Sequence, residues 1–222
     1  MRFIIKEQPY EKLLAAGQFR YALDGRPTGA VEHWRLTEVD KDYRFLRVDL
    51  DARAAESKHS YLYHGVLNEN GRFERLKYRF WGNGLDISGD IVLEETSVTA
   101  SREVNGQSFD QTLDLPLNYG FWFPSTMGVG ILAALDCGER TAVGLSAVSS
   151  QQSAFSLFTT KLDLELSGDQ LAVRWDDQER TLWLDEHKWP VKMVREGLSS
   201  DSKLTAVSTR HINYQRITNP GR

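Results

Sequence analysis

The sequence predicts an all-β protein: one strongly curved antiparallel sheet, a half-barrel or open barrel of about eleven to thirteen strands, with one or two short helices. Three observations predict it. Apolar and polar residues alternate with period two along most of the chain. Turn signals built on Gly, Asn and Asp interrupt that alternation at short intervals. The spacing between runs leaves no room for the crossover helices that parallel strands need.

The runs follow in order. Phe19, Tyr21 and Leu23 share one side of the first, against Arg20, Ala22 and Asp24. Later come a Trp34 strand, then Leu46/Val48/Leu50, Tyr61/Tyr63, Leu76/Tyr78/Phe80, Ile91/Leu93 and Leu113/Leu115. The second half adds the strand around Ser146, then Leu162/Leu164/Leu166, Leu171/Val173/Trp175, Leu182/Leu184 and Ile212/Tyr214. Asn70-Gly71 and Asn105-Gly106 should each sit at the tip of a two-residue hairpin, because a type I′ turn needs positive φ at both central residues. Gly168-Asp169 suits a type II′ turn, and Asp24-Gly25 opens a longer loop through Pro27. Hairpins joined in series make an antiparallel meander.

Two segments break the pattern. Pro9 to Ala16, with Pro at a helix start and Gly17 as a stop, reads as a short helix capping one end of the sheet. Residues 118–138 lose the alternation altogether, and 119–135 contain no Asp, Glu, Lys or Arg. Buried irregular backbone must find hydrogen-bond partners, so an uncharged loop of that length has to be covered and to satisfy itself. Ser125 and Thr126 can cap a helix from about Met127 to Leu135 that presents Met127, Ile131 and Leu135 on one side. Gly128 and Gly130 weaken it by ~1 kcal/mol each relative to Ala, so it forms only when docked. Phe121, Trp122 and Phe123 would anchor it as a plug or lid.

Composition bounds the function classes. A chain of 222 residues and 25.3 kDa reads as a single domain over 1–222. With 27 basic and 31 acidic residues the net charge is −4, which argues against nucleic-acid binding through phosphate neutralisation. No window approaches the ~20 apolar residues of a membrane span, so a soluble protein is expected. Cys137 is the single cysteine, which removes intramolecular disulfides and cysteine-based metal sites. Residues 1–7 hold no signal-peptide core and there is no Asn-x-Ser/Thr site, so the expected compartment is the cytoplasm. A chain whose leader had been cleaved would look the same and be periplasmic.

The opening has the form Phe19-x-Tyr21-x-Leu23-Asp24-Gly25-x-x-x-Gly29, followed by Trp34 and by Tyr43-x-Phe45, with Asp114-Leu115-Pro116 leading into the uncharged stretch. This order resembles a bacterial family of domains of unknown function whose members fold as a curved β half-barrel similar to lipoprotein-localisation factors. The resemblance covers most of the chain. It implies a half-barrel wrapped around a short helical or apolar plug, of a kind that often holds acyl chains, and it carries no catalytic residue.

No constellation for catalysis emerges from the residues. Gly144-Leu145-Ser146-Ala147-Val148 is one glycine short of a nucleophile elbow and reads as strand. The five histidines (His33, His59, His64, His187, His211) show no metal-binding spacing, and His59 and His64 should face opposite sides of their strand. No catalytic residue, metal or cofactor is therefore predicted, and the protein is expected not to be an enzyme. Arg47, Asp49, Asp51 and Arg53 read as ion pairs on a solvated sheet face. Arg75, Lys77 and Arg79 form a basic comb flanked by Phe73 and Trp81. It could read an anionic head group, or simply solvate the sheet opposite the Asp49/Asp51 strand.

The expectation is a non-enzymatic binding module for a hydrophobic or amphipathic, lipid-like small molecule in the cavity of a curved sheet. Its candidate ligand-binding residues are Phe121, Trp122, Phe123, Met127, Ile131, Leu135, Arg75, Lys77 and Arg79. The alternative is a structural or protein–protein interaction domain whose barrel the uncharged segment fills. An enzyme without a recognisable motif ranks third. No nucleic acid and no membrane span are expected, and a homo-oligomer stays open.

Overall fold

The computed structural model of the chain describes residues 1–40, 43–146, 153–196 and 203–213. Its strands are β1 (Lys12–Leu23), β2 (Arg26–Asp40), β3 (Tyr43–Ala52), β4 (His59–Asn68), β5 (Phe73–Gly82), β6 (Leu85–Leu93), β7 (Ser97–Val104) and β8 (Gln107–Asp114). They continue as β9 (Gly120–Trp122), β10 (Gly138–Leu145), β11 (Leu157–Ser167), β12 (Gln170–Trp175), β13 (Gln178–Leu184), β14 (Pro190–Glu196) and β15 (Lys203–Asn213). All fifteen belong to one curved sheet that does not close, in the order β8-β7-β6-β5-β4-β3-β2-β1-β15-β14-β13-β12-β11-β10-β9. The fold is all-β, as the alternation predicts. Tyr214, Ala147 and Val148, named above, lie outside the described residues.

Two meanders, β1–β8 and β10–β15, join back to back where β1 pairs antiparallel with β15. Both ends of the strand series therefore meet mid-sheet, and the edge strands β8 and β9 are neighbours in sequence. The antiparallel rule has one exception, at that edge. There β9 pairs parallel with β10, with Phe121 opposite Val143, because the intervening segment serves as a crossover. From the β8 edge the Gln111 side chain reaches the start of β11: its amide donates to the Leu157 carbonyl at 2.8 Å and its oxygen accepts from the Leu157 N–H at 2.9 Å.

Turn chemistry decides the hairpins. Asn105 and Gly106 have φ of 49° and 82° and make the two-residue turn predicted for them. Gly168, at φ 63°, likewise joins β11 to β12 in two residues. Asn70-Gly71 differs. The loop runs over residues 69–72, the Gly71 N–H bonds the Asn68 carbonyl at 2.9 Å, and only Gly71 is left-handed. The Asn68 side chain explains this: its oxygen accepts from the backbone N–H of Asn70 and of Arg72, stabilising the wider turn. Asp24-Gly25, in contrast, closes tightly between β1 and β2, and Pro27 lies within β2.

The helix expected over Pro9 to Ala16 does not form. From Lys12 onward the chain is β1, hydrogen-bonded to β2 on one side and from Ala15 to β15 on the other, and Leu14 and Ala15 are buried. Two ladders and a buried face outweigh the weak helical propensity of eight residues.

The strands that alternation leaves unmarked are β7, β9 and β14. In β7 the inward positions are Val98, Ala100, Arg102 and Val104, so a small and a charged residue hide a strict alternation. The inner face of the sheet carries the core, from Phe19, Trp34 and Leu46 through Tyr63, Leu76 and Phe80 to Ile87 and Ile91, each 2% exposed or less. Full burial of such side chains contributes roughly 1.5–3 kcal/mol each.

The outer face of β2–β4 is not solvated. Residues 2–11 lie across it: Arg47 forms an ion pair with Glu11 at 2.8 Å, and Asp49 accepts from Arg2 Nη2 at 2.6 Å. Arg47, Asp49 and His64 are 2%, 3% and 3% exposed. Two-sided burial of this strand face has its cause here. Burial pushes the Glu11 carboxyl up, but hydrogen bonds from Arg47 and Thr37 outweigh it and hold it below its ordinary value.

Candidate functional site

The uncharged segment, expected as a plug or lid, is largely buried within the hydrophobic core of the sheet. Pro124 ends the run after β9, and the Ser125 hydroxyl accepts from the Gly128 N–H at 2.7 Å, capping a helix α1 (Thr126–Gly130). A 3₁₀ turn over Ile131–Ala134 continues it. Every residue of α1 is buried. A Cβ on Gly128 would collide with the Phe123 carbonyl oxygen, and one on Gly130 would sit 2.5 Å from Pro190 Cγ. The glycines that weaken the helix are what let it dock.

A buried carboxylate holds its first turn. Glu32 Oε2 accepts from the Thr126 N–H at 2.9 Å and from the Tyr21 hydroxyl, and Oε1 accepts from the Met127 N–H at 2.9 Å. The Thr126 and Tyr21 hydroxyls are also bonded, at 2.8 Å. Glu32 is fully buried, and that burial raises its pKa against the opposing effect of these donors.

On one side of the plug lies a half-enclosed cavity of about 630 Å³. It opens among the β1–β2, β3–β4 and β12–β13 turns, whose flanking residues Tyr21, Thr28, Ala52, His59, Trp175 and Gln178 line it. Its wall is mostly apolar. Trp122 packs on Trp175 at 4.7 Å between ring centres and edge-on to Phe158 at 5.7 Å, and Leu50, Val129 and Met193 add to the lining. Burial lifts the Tyr61 hydroxyl to about 12 and lowers His59 below its ordinary value, so both stay neutral near pH 7. Among the described residues, the charged side chains in the wall are Arg180 and Arg195.

Arg180 is 8% exposed. Its guanidinium donates to the Gln178 side chain and the Glu179 carbonyl, both at 2.8 Å, and lies 4.9 Å from the Trp175 ring centre. Burial and the neighbouring Arg195 pull its pKa down to about 9.

On the other side of the plug is a wider cleft of about 1480 Å³, between the β4–β5 turn, residues 116–119 and the start of β10. Charges of both signs rim it, among them Arg72, Glu94, Asp136 and Lys161.

The predicted site residues divide among these places. Phe121, Ile131, Leu135 and Arg75 line the wider cleft, and Trp122 lines the 630 Å³ cavity. Phe123 and Met127 are fully buried in the plug, Phe123 against Tyr63 at 4.4 Å. The expected stripe of Met127, Ile131 and Leu135 is not one face. The 3₁₀ turn changes the helical phase, so Val129 and Leu132 are buried while Ile131 and Leu135 are only partly covered.

The basic comb faces the other way, on the outer side of the sheet. Arg75 and Lys77 pair with Asp90, Lys77 at 3.5 Å, and Arg79 lies 3.9 Å from Asp86. Its partners thus belong to β6 and not to the Asp49/Asp51 strand, which is two strands away. Phe73 does not flank the comb. A bulge at Glu74 shifts the register, so Leu67 pairs with Phe73 and the ring packs inward on Phe121 and Phe123.

Glu32 and Arg180 are the polar residues that sequence reading passes over. Each stands in phase with inward apolar neighbours, Glu32 with Trp34 and Leu36, Arg180 with Leu182 and Leu184. A charge on the buried phase was the available signal. Ser146 donates to the Ser153 carbonyl at 2.6 Å and so braces a turn. His59 and His64 do fall on opposite faces. Among the described residues no three His, Cys, Asp or Glu side chains gather as a metal site, and no helix is long and apolar enough to cross a membrane.

No protein-family model matches the chain, and no curated protein matches it. Among solved structures, a DUF1089 family protein from Pseudomonas aeruginosa aligns with 86% of this chain and 95% of its own, at 10% identity and a TM-score of 0.44. That likeness is too distant to transfer a residue or an activity.

Proposed function

We propose that the protein is a non-enzymatic binding module for a hydrophobic or amphipathic small molecule, held in the 630 Å³ cavity beside the plug. One observation carries this reading: α1 fills the middle of the curved sheet but leaves an apolar-walled space at one end. That volume falls within the ~300–1,000 Å³ usual for small-molecule sites, and the lining combines aromatic walls with a few polar groups. The filled-barrel alternative calls for no such space. The half-barrel family of unknown function that the opening motifs resemble is of a kind that often holds acyl chains, which favours the same reading.

The test uses Nile red, a neutral apolar dye, with the purified full chain, alongside native mass spectrometry for retained ligand. Saturable dye fluorescence is expected, and Ala30→Trp, which fills the cavity from β2, should abolish it while circular dichroism stays unchanged. Absence of saturable binding, or binding undisturbed by Ala30→Trp in a folded protein, would sink the proposal.

A further inference from the structure

We propose that the ligand of this cavity carries an anionic head group, a carboxylate or a phosphate ester on an apolar chain, and that Arg180 with Arg195 receives it. The inference rests on the reading that the cavity takes an amphipathic molecule, and it names that molecule's chemistry.

The charge in the wall has one sign. Among the described residues Arg180 and Arg195 line the cavity and no Asp or Glu does, although the chain as a whole has net charge −4. The carboxylate behind the wall, Glu32, is fully buried with both oxygens occupied by the plug. Buried charges are normally paired, since an uncompensated one costs several kcal/mol. Yet among the described residues Arg180 has no carboxylate within ion-pair reach and bonds only neutral oxygens.

The acids beside the two arginines are committed elsewhere. Glu179 pairs with Arg174 at 3.2 Å and Glu196 with Lys203 at 3.2 Å. Arg195 is directly opposite Arg180 in the β13–β14 ladder, and like charges so placed repel. Burial and that repulsion both weaken the guanidinium's hold on its proton. An anion between the two would remove the repulsion and satisfy Arg180 through charge-assisted hydrogen bonds. From there an alkyl chain has Trp122, Phe158 and Val129 to lie against.

Four probes of one chain length separate the possibilities: dodecanoate, dodecyl phosphate, dodecanol and dodecyltrimethylammonium, each titrated calorimetrically below its aggregation concentration. At least one anion should bind tenfold or more tightly than dodecanol, a difference of about 1.4 kcal/mol, with the ammonium weakest. Which anion is preferred distinguishes a carboxylate from a phosphate ligand. Arg180→Met should reduce that preference to near unity while dodecanol still binds, and Arg180→Lys should retain part of it. Should Arg180→Met fail to fold, Arg195→Gln at the exposed rim must lower the preference instead. Dodecanol binding as tightly as both anions would overturn the head-group assignment alone, as would an anion preference that survives in both folded variants. If no probe binds, the cavity reading falls, and this one with it.

Discussion

The Glu32 carboxylate accepts a hydrogen bond from the Met127 backbone N–H at 2.9 Å, across 95 positions of sequence. A residue in the second strand thus anchors a helix that begins after the ninth. Because the plug defines one side of the cavity, this contact links the order of the core to the shape of the site.

Replacing Glu32 with Gln should destabilise the fold by about 1–3 kcal/mol, since the amide nitrogen would face a backbone N–H and leave a buried donor unsatisfied. Tyr21→Phe should cost less, about 1 kcal/mol. Urea unfolding of the two variants checks the order. A Glu32→Gln protein as stable as the parent would show that the carboxylate does not hold the plug.

Glu11 predicts a pH dependence. Its folded pKa is lowered, so its contribution is fully present above its ordinary value of 4.5 and is lost as pH falls through the lower folded value. Glu11→Gln leaves the buried Arg47 guanidinium without its ion-pair partner and should cost roughly 3–5 kcal/mol at pH 7. The gap between parent and variant should narrow below pH 4.5. Glu32 has the opposite sign: with a raised pKa, its contribution grows as pH falls toward 4.5. Unfolding curves at several pH values test both, and a gap that widens in acid contradicts the assignment for Glu11.

Gly128→Ala and Gly130→Ala set local propensity against packing. Alanine favours an isolated helix by ~1 kcal/mol, but here each methyl enters occupied space. Both should destabilise, by about 1–3 kcal/mol. Gly128→Ala should be worse, because its obstacle is a backbone carbonyl that cannot turn aside. A rise in melting temperature for either variant would mean that the plug is looser than described.

The basic comb should be dispensable. Arg75, Lys77 and Arg79 are exposed or half-exposed and pair across the outer face with Asp86 and Asp90. Changing all three to Gln should alter stability by under ~1 kcal/mol per pair and leave Nile red binding unchanged. Loss of dye binding with the fold intact would transfer the site from the cavity to this face or to the wider cleft that Arg75 borders.

By itself the sequence determined the local structure. Period-two alternation marked strands such as β5 and β12, Asn105-Gly106 set its own turn, and Ser125 marked the start of α1. These are short-range properties, decided by backbone φ preferences, by side chains that point to alternate faces, and by a hydroxyl within reach of its own helix. The uncharged stretch likewise announced that it must be covered. Tertiary structure decided the rest. Residues 9–16 became strand because two neighbouring ladders and the core claimed them. Phe73 turned inward because a bulge at Glu74 shifted its phase. Asp49 and Arg47 were buried by a segment some forty residues earlier in the chain. The cavity belongs wholly to this level: Tyr21, Trp122, Arg180 and Arg195 come from four strands and meet only when the sheet curves around α1. No spacing along a chain encodes how far a sheet bends or how much of its hollow a plug leaves empty, because both follow from packing summed over the whole inner face.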